Sequence, residues 1–365
     1  MIRRDIIVIG ASAGGVDALM RLARHLPQGF PASLFVVFHV PPTSRSLLPE
    51  ILSRNGPLLA AHARDGEPFY PGQIYVAPPD FHLLLAPGGR LRLSRGAREN
   101  RHRPAVDVLF RSAARYYGRR VIGVVLTGSM YDGSAGLLAV RAAGGLAVVQ
   151  DPGDAPVADM PYNASQVAGA DFVVPIAELA DVLIKQVGQP IAEPKNAPAT
   201  NPPDRMAETV ETAMAEQART ERRGEVSVFT CPECGGTLWQ TDDEQLLQFR
   251  CHVGHNYSAE ALLSEQRENL EAALWTAGRT FRENGVLSRQ LAAMERARKN
   301  TDVAARFDEH AERATRYGEL IERFILGRAP RTPGPAAPAS NGAAPPSGAT
   351  PDSQGRIETG PTHSG

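Results

Sequence analysis

Short apolar runs alternate with stretches of helical spacing through the first 188 residues, and this alternation confines the fold more than any other feature of the sequence. Asp5–Gly10, Ser33–Val40, Gln73–Ala77, Arg120–Thr127, Leu146–Gln150 and Asp171–Ile176 read as strands. Several are apolar on both faces, as buried parallel strands should be. Between them, Val16–Leu26, Val106–Tyr117, Ser134–Ala143 and Ile176–Val187 repeat their apolar residues at helical spacing. This order predicts an α/β fold, doubly wound around a mostly parallel sheet. Phe81–Ser94 is the exception, because Leu83–Leu85 and Leu91–Leu93 flank Ala86-Pro-Gly-Gly89, the pattern of a β-hairpin.

The pattern changes after residue 188. Residues 189–225 read as a linker, with five prolines in 189–204 and a polar, exposed helix over 205–222. Residues 226–257 hold all three cysteines and are expected to form a small compact unit. Residues 258–328 have helical periodicity, with Ser258 as N-cap and a break near Asn300 that predicts a helical hairpin. From residue 329 to 365 the chain is Pro, Ala, Gly and Ser, too poor in large apolar groups to offset its ordering entropy, so a disordered tail is expected.

Gly10-Ala-Ser-Ala-Gly-Gly15 follows the first strand and opens the first helix, which matches G-x-S-x-G in the context that motif requires. Small neighbours let the turn be tight and the serine project, while the helix N-terminus offers N–H groups to an anion. Ser12 is thus a candidate nucleophile, and a phosphate-binding or purely structural turn stays open beside it. His39 ends the apolar run Leu34–Phe38, at the sheet edge where α/β proteins bind ligands. Asp132 lies in the loop after Val121–Thr127, where it either completes a Ser–His–Asp set or shapes the turn with Gly133. Chain order Ser…His…Asp separates this arrangement from the usual α/β-hydrolases.

These residues resemble the catalytic domain of the chemotaxis protein-glutamate methylesterase (CheB-type) family. The likeness rests on Ile7–Gly15, on His39 after its strand, and on Tyr75-Val-Ala-Pro-Pro-Asp80. Arg103-Pro-Ala-Val-Asp107, Leu126-Thr-Gly128 with Asp132-Gly133, and Met160-Pro161 extend it across nearly all of residues 5–188. The resemblance implies a catalytic domain over 1–188, with Ser12 as nucleophile, His39 as base and Asp132 as orienting acid. It places the oxyanion or substrate contacts at Ala13, Ser129 and Met130. It implies hydrolysis of glutamyl methyl esters on methyl-accepting chemotaxis receptors, with glutamine deamidation in related members and no catalytic cofactor. Arg103 would either contact an acidic receptor surface or pair locally. The best-known members also carry an N-terminal receiver domain, which this chain is expected to lack.

Cys231-Pro-Glu-Cys234 is followed by Cys251-His252-Val-Gly-His255. Two thiolates two residues apart bind one tetrahedral ion from a single turn, and a second pair closes the site. Cys231, Cys234, Cys251 and His255 are the expected ligands of a structural Zn2+, with His252 less suited because it adjoins Cys251. Thr237–Gln240 and Gln248–Arg250 read as the two short strands of a zinc-ribbon-like unit. A redox C-x-x-C would prefer a βαβ context that is absent here.

The formal net charge of −1 gives nucleic acid no electrostatic foothold. No stretch approaches the roughly 18 apolar residues of a membrane span, so the chain reads as cytoplasmic, meeting the membrane only through receptors. Two other functions remain open at this stage: a catalytically idle interaction module for chemotaxis-like signalling proteins, and a phosphate or nucleotide binder using Gly10–Gly15.

Overall fold

The structure is a computed structural model that describes residues 3–191, 224–243 and 246–327. The first nine strands are Ile6–Ala11 (β1), Ser33–Phe38 (β2), Leu59–His62 (β3), Gln73–Val76 (β4), His82–Ala86 (β5), Arg90–Ser94 (β6), Val121–Val125 (β7), Leu146–Gln150 (β8) and Phe172–Val174 (β9). All but β5 and β6 form one seven-stranded sheet in the order β3-β4-β2-β1-β7-β8-β9. Each pairing in it is parallel. β5 and β6 pair antiparallel as the expected hairpin.

The pleat divides each central strand between two cores. Ile7 and Ile9 face Leu19 and Leu22 of α1 (Gly15–His25) and Leu52 of α2 (Leu48–Asn55), together with Leu179 and Leu183 further along the chain. Ile6 and Val8 face Leu109 and Phe110 of α3 (Val106–Tyr117), Leu137 of α4 (Ser134–Ala142) and Met160 of α5 (Asp159–Ala168). Leu179 and Leu183 belong to α6 (Ile176–Gln186). Helices therefore cover both faces, which is why the strands could be apolar on both sides.

The winding direction reverses at β1. The chain passes from β1 to β2 on one side, then returns to β7 on the other. Such a switch point leaves a crevice beyond the strand ends.

In the first 188 residues one strand and two α-helices escape the sequence reading. β3 is a four-residue edge strand whose Leu59 is 72% exposed, so it has no apolar run to announce it. α2 is only eight residues long. α5 carries Pro161 in its first turn, where a missing N–H costs nothing, so the proline is no breaker there.

Four antiparallel strands follow, Glu225–Thr230 (β10), Thr237–Asp243 (β11), Leu246–Cys251 (β12) and Asn256–Ser258 (β13), in sequential order. The two expected ribbon strands are the middle pair, longer than their sequence signal. α7 (Ala259–Ala297) begins where the Ser258 Oγ accepts the Ala261 amide at 3.1 Å, the predicted N-cap. α8 (Thr301–Ile325) follows the expected break at Asn300.

The described residues up to Ala273 pack as one unit, and those from Leu274 onward as another. In the second unit the two helices run antiparallel. Phe281 meets Tyr317 at 5.5 Å between ring centroids, and Arg296 pairs with Asp308. Among the described residues, no helix is long and apolar enough to cross a membrane. The expected linker helix over 205–222 and the expected disordered tail lie outside the described residues.

Candidate active site

Register brings Ser12 and His39 together. β1 and β2 pair Ala11 with Phe38, so Ser12 and His39 are the first residues past the ends of adjacent strands. The His39 amide still donates to the Ala11 carbonyl at 3.2 Å. On the other side the Ser12 amide donates to the Thr127 carbonyl at 3.0 Å, beside the switch point. The Thr127 hydroxyl ties the turn down by donating to the Ala13 carbonyl at 2.9 Å.

The serine turn depends on two glycines. Gly14 has φ of 78°, in the left-handed region that a side chain disfavours. Gly128 faces the nucleophile, and a Cβ there would lie 2.1 Å from the Met160 sulfur and 2.8 Å from the Ser12 Cβ.

His39 Nε2 lies 2.7 Å from Asp132 Oδ2, so the ring carries its proton on Nε2 and donates it to the carboxylate. In the neutral ring Nδ1 is then a lone pair, and it is buried with no hydrogen-bond partner. The sequence-predicted trio is thus assembled in part: His39 and Asp132 are bonded, and Ser12 sits alongside without a bond to Nδ1.

Asp132 is 1% exposed and accepts from four groups. Besides His39, these are the Val106 amide at 2.7 Å, the Asp107 amide at 3.1 Å and the Asn100 side-chain amide at 3.2 Å. Burial pushes its pKa up, but the hydrogen bond and charge of His39, then His102 and the Val106 amide, outweigh it and hold the carboxyl below the ordinary range. The first-turn amides of α3 also direct the positive end of that helix at the charge.

Asp107 lies beside it, fully buried, accepting from the Gly133 and Gly136 amides at 3.0 and 2.6 Å. Its pKa is raised by burial and by the neighbouring Asp132 and Glu99 charges. The two carboxyls share the Asn100 amide, which also reaches Asp107 at 2.9 Å.

The oxyanion candidates flank the serine. Among the described residues, the amides of Ala13, Gly14, Ser129 and Met130 donate no hydrogen bond. Met130 has φ of 71°, a conformation unusual for a side chain of this size, and Asn163 donates to its carbonyl at 2.8 Å. An over-determined strained residue with a spare amide is a common feature of functional loops.

Sequence reasoning missed Asn100 and His102. His102 stacks flat on His39, with centroids 3.6 Å apart and planes within 6°. Burial, and then the His39 charge, lowers its pKa to about 3, so it stays neutral against its neighbour. The only signal was the polar stretch ahead of Arg103-Pro104. Asn100 and Arg101 have φ of 48° and 72°, and two consecutive left-handed residues leave no periodicity to read. Arg103 takes the local option, donating to Asp80 at 2.6 Å and to the Gly96 carbonyl at 2.8 Å.

The ligand-type residues also converge. The donor atoms of Cys231, Cys234, Cys251 and His255 all lie within 4.8 Å of one another, so the four could hold a metal ion. His255 Nδ1 is 3.6 Å from the Cys231 sulfur and 3.4 Å from that of Cys251, and the Cys234 and Cys251 sulfurs are 3.6 Å apart. Edges of a tetrahedral Cys-ligated zinc are roughly 3.8 Å, close to these three separations. Glu233 lies 3.2 Å from His255 Nε2 and fixes the ring with Nδ1 facing the thiols. His252 is exposed and outside the cluster.

Fold and site together define a doubly wound α/β protein that gathers a serine, a histidine and a buried carboxylate at the switch point of its sheet. The family model for CheB methylesterase matches residues 7–183. A protein-glutamate methylesterase/protein-glutamine glutaminase of Yersinia pestis bv. Antiqua (strain Antiqua) is 40% identical over 185 residues, which are 50% of this chain and 53% of that protein. A provisionally named protein-glutamate methylesterase/protein-glutamine glutaminase of Leptospira interrogans serovar Lai is 38% identical over 181 residues, covering 50% of this chain and 94% of that protein. The Thermotoga maritima CheB methylesterase catalytic domain, a solved structure, is 36% identical and covered in full, against 51% of this chain, with a TM-score of 0.49. The chain belongs to the CheB methylesterase family. It spans about half the length of the Yersinia relative.

Proposed function

We propose that this chain is a serine esterase that removes methyl groups from glutamyl methyl esters of chemotaxis receptors. One observation carries the reading: His39 Nε2 is committed to the buried Asp132, which leaves a buried, unpartnered Nδ1 beside Ser12. A base in that state has one proton to collect, and the serine is the adjacent source.

In this reading Nδ1 takes the Ser12 proton as the hydroxyl oxygen attacks the ester carbonyl. Charge develops on the carbonyl oxygen, where the unspent amides of Ala13, Ser129 and Met130 receive it. Collapse breaks the bond to methanol, which leaves with the proton from Nδ1. Water then gives a proton to Nδ1, attacks the acyl-enzyme and frees the glutamate with Ser12 restored. Asp132 stays ionised throughout and balances the imidazolium. Deamidation of a receptor glutamine would follow the same path, with ammonia leaving.

The four-residue cluster is proposed to hold a structural Zn2+ that staples the small ribbon, which has too little core of its own. All four positions are filled by protein, as in closed structural sites. Receptor tails and a reducing cytoplasm are the proposed setting, in keeping with three unpaired cysteines.

Methanol release from membranes carrying methylated receptors tests the reading. Wild-type protein is expected to release methanol and Ser12→Ala to release none. Nucleotide binding that survives Ser12→Ala, with no methanol from either protein, would replace the esterase by a phosphate binder.

A further inference from the structure

Two independent contacts run from the ribbon into the candidate active site. β13 lies against the segment that carries Asn100: the Asn100 amide donates to the Asn256 carbonyl at 2.8 Å, and the Asn256 amide to the Arg98 carbonyl at 3.4 Å. The Asn256 side chain donates to Glu99 at 3.2 Å, and the Ser258 amide donates to Asn100 Oδ1 at 3.1 Å. That last bond reinforces the flip of the Asn100 side chain that the two carboxyls also favour. With Oδ1 taken by the ribbon, Nδ2 must point the other way, where it meets Asp107 and Asp132.

The second contact is apolar. Met130, whose amide flanks Ser12, packs its side chain on the ribbon core formed by Cys231, Leu238, Phe249, Cys251, Tyr257, Ala261 and Leu262. Beyond β13, Arg101 continues the seam by pairing with Glu265 and with Glu268 on the first turns of α7.

We propose that the ribbon is part of the catalytic apparatus of this chain: through the Ser258 amide it fixes Asn100 as a positioning residue for Asp132, and through its core it fixes the Met130 loop. Asn100 touches no reacting atom. It holds the carboxylate that holds His39, and it sits in a left-handed conformation while its amide and its Oδ1 are both bonded to the ribbon. The 98–102 segment has no strand of its own, and its regular backbone partner is β13. The inference rests on the esterase reading for its kinetic test and on the His39–Asp132 bond for its spectroscopic one.

The experiment uses the full chain and two readouts. The first is steady-state methyl-ester hydrolysis, with kcat and KM separated. The second is the low-field proton resonance of the His39 Nε2–H, which reports its bond to Asp132 whether or not ester is turned over. Variants are Asn100→Ala, Asn256→Ala, and Val228→Ala on the exposed outer ribbon strand as control. Misplacing a catalytic group by about 1 Å costs on the order of 100-fold in rate. On that scale Asn100→Ala is expected to lose about 10- to 100-fold in kcat and Asn256→Ala about 3- to 10-fold, each with KM within about twofold. Both should move the resonance, and Val228→Ala should change neither readout. Thermal unfolding and zinc content of each variant identify one that has not folded, and Asn256→Gln, which keeps an amide, should recover part of the kcat. If Asn256→Ala leaves kcat and the resonance at wild-type values, the proposal is overturned. If the resonance moves while no protein hydrolyses ester, the positioning role stands and the esterase reading falls.

Discussion

Four donors converge on Asp132, two on each oxygen, and if the carboxylate became an amide one pair would face an NH2 that cannot accept. Asp132→Asn also favours the wrong His39 tautomer, because an amide nitrogen cannot accept the Nε2 proton. The expected loss in kcat is about 10,000-fold with KM little changed, the size seen for the same change in another serine triad. His102 supplies a different kind of prediction. Its pKa is lowered to about 3, by burial first, whereas the unfolded residue titrates near the ordinary histidine value of 6.5. Between those values the unfolded chain binds a proton that the folded one does not, so stability is whole above 6.5 and drains away as pH falls toward 3. His102→Phe keeps a ring against His39 and removes the proton. Its melting temperature should fall less between pH of about 7 and about 4.5 than that of wild type. Buried His82, lowered for the same reason, leaves a residual slope in both. Gly128→Ala belongs here too: a methyl set against Met160 and Ser12 should cost about 1–3 kcal/mol and displace the nucleophile, read as a lower melting temperature with lost turnover.

Elements explain why the sequence revealed some of the site and hid the rest. Ser12, His39 and Asp132 each follow a buried parallel strand, and such strands write themselves as apolar runs that end abruptly. The cysteines were legible because metal ligation fixes their spacing within a turn. Asn100 and His102 lie between the hairpin and α3, in backbone with no period, so nothing local marks them. β13 is three residues long and its pairing with the Glu99 segment joins positions more than 150 apart, beyond any window of periodicity. The ribbon makes its own prediction as an element. Chelation should unfold residues 226–257 and expose three reactive thiols while the parallel sheet keeps its hydrogen-exchange protection. Protection of the ribbon that survives a chelator would remove the zinc assignment.

For the whole molecule, the Leptospira relative is informative because its matched region fills 94% of its length. A protein of this family can thus consist of little more than the sheet domain. A fragment of residues 1–188 is accordingly expected to fold, with a melting transition of its own. Relative to the full chain it should show a lower kcat at similar KM, because the side chains that dock substrate are retained while Asn100 and Met130 lose their outer partners. Equal turnover by fragment and full chain would mean that the ribbon serves some other purpose. The second unit, with its antiparallel α7–α8 seam, should not contribute to that difference.

The bond from the Ser258 amide to Asn100 spans 158 residues of sequence. A ribosome adds residues at roughly 5–20 per second, so the sheet domain, complete near residue 188, emerges about 4–14 seconds before the strand that orients Asn100. Until then the nascent chain carries a serine, a histidine and a carboxylate whose alignment lacks its outer support. A chain stalled before β13 is accordingly expected to be folded but slower than the finished protein, so on the proposed reading completion of synthesis itself raises turnover.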